Sequence, residues 1–460
     1  MTIYLINPMI IEDYSISRIG RCVTKAKADY LYPPTELLYV ASYLRKYGYD
    51  VKAIDGALVK SPNQLFSKIK NPGYFITMVG IFSYKMDSNF IKMLKEKFPK
   101  VPVIVFGQGA SFITEDYLNV ADYVVFGEPE KPILEIIQNK EEVIGVSYKK
   151  KGRVILNKKP NLLKNLDELP YPARDLINNS IYKHAFMKPY AMVYSSRGCP
   201  YNCIFCTSKG YSPFYRIRSV ENIINELKEI YYKYKIKNFG FIDETFTLNK
   251  NRIIAICKGL VESGLNMDWI ALGRVDKVDE EILRWMKKAG CKIIMYGIES
   301  SDQKVLDFLK KDMKVDQIKK AIDLTRKCGI ETHGFFIFGS PLDTKQTIVK
   351  TIKFAKKLKL DYASFNIFVP YPGTESFMML EKENQIKTRD WSKYDQSLNE
   401  LVYRHKFFKN KDIQKLIKKA YREFYLNPQF IIRRFLKDIK NPASLIRDIS
   451  NVKKIFKNYL

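Results

Sequence analysis

Six short apolar runs recur between residues 190 and 370, and this alternation limits the chain to very few folds. The runs are "AMVYSS" at 191–196, "NFGFID" at 238–243, "DWIALG" at 268–273, "KIIMYGIES" at 292–300, "THGFFIFG" at 332–339 and "YASFNIFV" at 362–369. Each of the first five is followed by a stretch long enough for a helix, such as "SVENIINELKEIYYKY", where Ser219 stands as N-cap. Six consecutive β/α units predict a barrel or partial barrel, whose chemistry sits at the C-terminal ends of its strands.

The stretch "SSRGCPYNCIFCTSKG" at 195–210 begins as the first of these strands ends, and it places Cys199, Cys203 and Cys206 within eight residues. The other four cysteines, Cys22, Cys257, Cys291 and Cys328, are scattered singly. An odd, scattered set is a poor disulfide framework and suits a reducing compartment. Structural zinc closes with four ligands, so three cysteines with no partner pair downstream leave zinc incomplete. Soft thiolates also suit iron-sulfur clusters, which usually take four cysteines; three leave one iron open.

A second alternation runs from residue 1 to about 140: "TIYLIN" at 2–7, "DVKAID" at 50–55, "FITMVGIF" at 75–82, "VPVIVFG" at 101–107 and "DYVVFG" at 122–127. Between them lie amphipathic segments such as "TELLYVASYLRKYG", which stops at Gly48. Five buried strands with intervening helices predict a doubly wound parallel sheet. The segment 147–177 turns basic and is then punctuated by Pro160, Pro170 and Pro172, as a hairpin and linker would be. The chain is therefore read as α/β, with a Rossmann-like domain at 1–145, a hairpin and linker at 146–185, a partial (β/α)6 barrel at 186–380 and a basic helical extension at 381–460.

The N-terminus lacks the pattern of a signal peptide, and the longest apolar stretches are too short to span a bilayer, so a cytoplasmic location is expected. The formal net charge of +29 invites an anionic partner, either nucleic acid, an acidic lipid surface or a phosphorylated substrate; general decoration of exposed faces with lysine would give the same sum. The last fifty or so residues look helical, with breaks at Pro428 and Pro442. Such a basic amphipathic tail can lie on an anionic membrane. Alternatively Phe424, Phe430, Ile431 and Phe435 pack on the barrel and leave Arg433 and Arg434 in water.

The C-x3-C-x2-C run resembles the signature of the radical S-adenosylmethionine (SAM) superfamily, in which SAM binds the fourth iron of a 4Fe-4S cluster. The resemblance implies cluster ligation by Cys199, Cys203 and Cys206, and places Phe205 beside the adenine. Asp243 after the second strand, Arg274 after the third and Glu299 after the fourth match positions that hold SAM in the family, and the likeness covers roughly 190–375. It implies reductive cleavage of SAM to a 5′-deoxyadenosyl radical, fed by an electron donor such as ferredoxin or flavodoxin.

The N-terminal stretches "INPMI", "GIFSYKMD", "VIVFGQGASF" and "VVFGEPEKP" resemble the cobalamin-binding domain of one branch of that superfamily. This implies cobalamin contacts at Ser83, Gly107, Gly109 and Glu128, with Asp55 a weaker match. Two departures stand out. No histidine precedes His184, so the domain's usual lower cobalt ligand is absent, and Gln108 replaces a glycine common in the family.

The branch implies methyl transfer to an unactivated carbon of a small molecule or lipid. Its alternatives are cyclisation or another change of carbon skeleton on a lipid or isoprenoid, and methylthiolation. Methylthiotransferases carry three further cysteines in the N-terminal domain, where this chain has only Cys22. A nucleic-acid-binding module would need a closed zinc site and clustered basic and aromatic residues, and neither is found.

Overall fold

Strand β1 (Thr2–Asn7) is buried along its whole length, as an unbroken apolar run must be in a sheet covered on both faces. The computed structural model describes residues 1–9, 16–19, 22–25, 30–185, 187–398 and 400–439. β1 pairs in parallel with β2 (Val51–Asp55) on one side and β3 (Pro72–Met78) on the other. β4 (Val103–Phe106) and β5 (Tyr123–Val125) continue the parallel sheet. The order 2-1-3-4-5 reverses between β1 and β3, and in such sheets ligands bind at the carboxyl ends beside that reversal. Helix α1 (Thr35–Lys46) ends as the sequence predicts, with Gly48 at a φ of +83°. Helices α2 (Tyr84–Lys97), α3 (Gln108–Phe112) and α4 (Glu130–Ile137) follow β3, β4 and β5.

The expected hairpin forms as β6 (Val146–Lys150) and β7 (Arg153–Ile155), but it is no separate unit. β6 pairs antiparallel with β5, so the N-terminal sheet has seven strands and continues beyond residue 145. α4 lies between β5 and β6, a short turn joins β6 to β7, and the exposed strand β7 begins with Arg153 at the sheet edge.

The second sheet has six parallel strands in chain order: β8 (Tyr190–Val193), β9 (Asn238–Phe241), β10 (Asp268–Gly273), β11 (Cys291–Glu299), β12 (Glu331–Phe338) and β13 (Tyr362–Ile367). Helices α5 (Val220–Lys228), α6 (Lys250–Glu262), α7 (Glu280–Lys288), α8 (Val315–Lys327) and α9 (Lys345–Lys357) fill the intervals. Ser219 caps α5, its side chain accepting the Asn222 N–H.

The open barrel leaves β13 at an edge, which α10 (Asn410–Tyr425) covers. Tyr425 Oη accepts the Ala363 N–H at 3.0 Å and donates to the Ala363 carbonyl at 2.8 Å, while Tyr421 Oη accepts the Phe365 N–H at 3.2 Å. Two side-chain hydroxyls thus do for the edge what a seventh strand would have done. Pro428 opens the next helix, α11 (Pro428–Ile439), at its first position, where no N–H is required. The expected break at Pro442 lies outside the described residues.

Buried ion pairs join the two sheets. Arg197 meets Glu130 at 2.6 Å and Glu128 at 3.4 Å, and Arg216 also pairs with Glu128. Burial works against the Arg197 charge, yet the two carboxylates outweigh it and raise its pKa. Tyr182 and Tyr194 add hydroxyl bonds to Asp55 at 2.9 Å and to Glu36 at 2.6 Å. Among the described residues no helix is long and apolar enough to cross a membrane.

Candidate active site

The cysteine loop leaves β8 at its carboxyl end and is anchored before it begins. Ser195 donates its N–H to Asp243 at 2.7 Å and its hydroxyl to the same carboxylate at 2.5 Å, and the Ser196 hydroxyl adds a bond of 2.6 Å. Arg252 holds the other side, donating to the Ser195 carbonyl at 2.5 Å and to its hydroxyl at 3.1 Å. Gly198 has a φ of +86°, and a Cβ there would run into the Phe214 carbonyl, so the turn into Cys199 requires glycine. Its N–H donates to Glu244 at 3.1 Å.

Further along, Ile204 donates to the Leu309 carbonyl at 3.2 Å and accepts from the Ser376 N–H at 3.0 Å, which stitches the loop to two other strand-end segments. Phe205, half-buried, packs against the core, and Lys311 Nζ lies 5.9 Å from its ring centre. Glu299 ends β11 beyond a register shift with a φ of +63°, and its carboxylate takes Lys311 Nζ at 2.6 Å. A bulge and a left-handed glutamate are local strain of the kind held at sites that must aim a side chain. Arg274 stacks on Tyr201 with 3.5 Å from guanidinium to ring centre, and it donates to Asp276 at 2.9 Å and to the Lys311 carbonyl at 2.6 Å.

The four residues matched to SAM contacts therefore divide. Phe205 and Glu299 stand at the cysteines. Asp243 and Arg274 are buried, with their polar atoms engaged by Ser195, Ser196, Asp276 and the Lys311 carbonyl, so they support the loop. Lys311 and Tyr201 escaped the sequence reading. Lys311 is one of two adjacent lysines in "FLKKDMKV", and nothing in the spacing separates the buried one from the exposed one.

Burial pushes the Cys203 thiol up to about 11, against which nearby Lys311 pulls down, and burial also raises Cys199. The charge of Cys206 acts on both, so the three sulfurs share one neighbourhood. Among the described residues no three His, Cys, Asp or Glu side chains converge on a single ion. A cluster asks for something else, because each thiolate takes a different iron and the sulfurs stand around a larger body. Three soft donors on one short loop, with a buried cation beside Cys203, fit such a cluster.

The N-terminal candidates serve the loops at the carboxyl ends of β3, β4 and β5. The Ser83 hydroxyl donates to Asp87 at 2.5 Å, and the same carboxylate takes the Gly80 N–H at 3.0 Å. Gly107 has a φ of +108°, and a Cβ there would lie 2.6 Å from the Val79 carbonyl; at Gly109 one would lie 2.5 Å from the Gly80 carbonyl. These glycines let the loop after β4 lie flat on the loop after β3. Glu128 is buried against Arg216 and accepts from Ser212 at 3.0 Å, and Asp55 accepts from Asn7 at 2.7 Å. Ser83, Glu128 and Asp55 thus spend polar atoms inside the protein. A corrin fits this domain through its strand order and glycine loops, without an imidazole from the domain beneath cobalt. The loop after β1 continues past residue 9, outside the described residues.

Residues 193–355 match the family model of the radical SAM superfamily, and residues 21–137 match that of the B12 binding domain. The chain is 36% identical over 414 residues to an uncharacterized methyltransferase of Pyrococcus horikoshii, which covers 87% of this chain and 89% of that protein. Among solved structures, the cobalamin-dependent SAM radical enzyme OxsB, with aqua-cobalamin and SAM bound, superposes with a TM-score of 0.73 at 18% identity, over 98% of this chain and 72% of its own. The methyltransferase TsrM of Kitasatospora setae, with cobalamin and a 4Fe-4S cluster bound, gives 0.68 at 14% identity, over 83% and 75%. The chain belongs to the radical SAM superfamily, in the branch that joins a B12-binding domain to the barrel, and its chemistry is that of a cobalamin-dependent radical SAM enzyme.

Proposed function

We propose that the protein transfers a methyl group to an unactivated carbon of a small-molecule or lipid substrate. The observation that carries this reading is a contact between the two cofactor loops. Gln108 Nε2, at the first position of α3 just after β4, donates to Thr207 Oγ1 at 2.6 Å, one residue past Cys206. A methyl carrier and a radical source held by these loops would serve one cavity. The name of the Pyrococcus horikoshii relative supports the same reading.

When bound, the cluster and SAM supply a carbon-centred radical and the corrin supplies the methyl group. The chain's own share is placement. Cys199, Cys203 and Cys206 would hold three irons, while Phe205 and the Glu299–Lys311 pair would face SAM. Asp243, Arg252 and Arg274 keep the loop in register. Gly107 and Gly109 flatten the corrin side, and Ser83 and Glu128 stiffen it. A ferredoxin or flavodoxin, acidic and cytoplasmic, complements the net charge of +29 as electron donor.

The test is anaerobic reconstitution with iron, sulfide and cobalamin, followed by SAM carrying a deuterated methyl group, a reductant and candidate substrates. Label should appear in a product, together with 5′-deoxyadenosine, and Cys203→Ala should abolish both. SAM cleavage with the label recovered only in methionine and intact SAM would refute methyl transfer while sparing the superfamily assignment.

A further inference from the structure

Helix α11 sits on the barrel with its polarity inverted. Arg434 points inward, and Lys437, itself partly exposed, reaches back to the carboxylates that Arg434 meets. Arg434 is 5% exposed and lies 3.2 Å from both Glu331 and Asp361, while Lys437 lies 2.7 Å and 3.0 Å from the same two carboxylates. Its apolar side chains point outward. Ile431, Ile432, Phe435 and Leu436 are 49%, 59%, 54% and 60% exposed. They fall at i, i+1, i+4 and i+5, a single stripe on a helix. Of the two arrangements the sequence allowed, packing of the tail on the barrel holds for Phe424 and Phe430 but is reversed at Arg434, Ile431 and Phe435. The reason is that buried Asp361 and partly buried Glu331, at the starts of two strands, demand cations from whatever covers them. Single exposed leucines are ordinary; four large apolar side chains on one stripe mark a contact surface.

Beside the stripe lies a cavity of about 360 Å³ lined by Arg326, Lys356, Lys359 and Arg433 together with Phe424 and Phe430, and no carboxylate lines it. Lys356 reaches Glu423 at 3.2 Å, and Arg433 Nε is buried without an acceptor. Burial lowers the pKa of Arg433 against the pull of Asp361, and Arg326 and Arg434 close by add to the lowering. An apolar stripe against a cationic hollow complements an amphiphile with an anionic head. The segment 440–460 supplies five Lys or Arg and one Asp, so it brings the wrong charge to that hollow. A second copy of this face would bring the same charge again.

We infer that α11 and the Arg326–Lys359 hollow form a docking surface for an anionic phospholipid bilayer, with headgroup phosphate in the hollow and acyl chains against the stripe. Glu331 opens β12 and Asp361 immediately precedes β13, so this face lies at the amino ends of the strands, whereas the cysteine loop leaves a carboxyl end. The surface therefore anchors the enzyme and leaves the active-site face away from the bilayer. It rests on no cofactor and stands apart from the methyl-transfer reading.

The full chain without cofactors should float with vesicles of phosphatidylcholine mixed with phosphatidylglycerol at low salt, and not with phosphatidylcholine alone. Ile432→Glu with Leu436→Glu should weaken binding by about tenfold or more, and Arg326→Glu with Lys359→Glu should weaken it by a similar factor. Unchanged melting curves would show that both variants fold. Failure of the wild type to float, equal binding to neutral vesicles, or variants that bind like the wild type would each overturn the inference. So would self-association abolished by the Ile432/Leu436 variant, or protection of the hollow by inorganic phosphate without vesicle binding.

Discussion

Replacing Asp243 by Asn tests whether this carboxylate supports the cysteine loop or contacts SAM. The side chain is fully buried and accepts three hydrogen bonds, from the Ser195 N–H and from the hydroxyls of Ser195 and Ser196. A bond to a buried charged acceptor contributes about 1 kcal/mol more than one to a neutral amide, so three bonds lose about 3 kcal/mol. A neutral side chain recovers part of the carboxylate's desolvation, which leaves a net loss of about 2 kcal/mol. Arg252 adds to the loss, since it shares Ser195 with Asp243 and would keep its charge there without an opposite one. Urea unfolding of the cofactor-free protein should show the drop. Iron and sulfide incorporated on anaerobic reconstitution should fall with it, while SAM affinity per loaded cluster stays the same. Unchanged stability together with weakened SAM binding would refute the supporting role and place Asp243 against SAM.

Gly107→Ala should destabilise the N-terminal domain by about 2–3 kcal/mol, because its φ of +108° and the Val79 carbonyl 2.6 Å from the new Cβ leave no room. Gly48→Ala, with a φ of +83° and nothing within 4 Å, should cost only about 1 kcal/mol; equal losses in thermal melts would contradict the close-approach argument. Glu226→Gln should cost about 3–5 kcal/mol, since this buried carboxylate holds Arg174 at 2.6 Å and Arg218 as well, and a variant melting like the wild type would sink that assignment. Burial, with His333 adding to it, holds the His184 imidazole down to about 3 from 6.5, so the folded protein refuses a proton that the unfolded chain accepts. Stability is complete above pH 6.5 and declines as pH falls below it, by about 1.4 kcal/mol per unit. Between pH 6.5 and 5 the wild type should lose about 2 kcal/mol more than His184→Gln, and parallel urea midpoints would exclude this cause.

The strand segments, the cysteine loop and the split into two α/β sheets were all legible in the sequence. Buried parallel strands need short apolar runs, helices must lie between them, and both signals are local. The C-x3-C-x2-C spacing is local too, and so it identified the cluster loop before any partner was known. Tertiary structure alone decided which polar groups were consumed. Asp243 binds residues 47 and 48 positions earlier in the chain, Glu128 pairs with Arg216, and Gln108 reaches Thr207. It also decided that the 146–155 hairpin would join the first sheet and that α11 would turn its arginine inward. An amphipathic pattern states that a helix has two faces, but which face is buried depends on what it meets. Here it met a buried and a partly buried carboxylate, and their need for a counter-charge outweighed the burial of Ile432, Phe435 and Leu436.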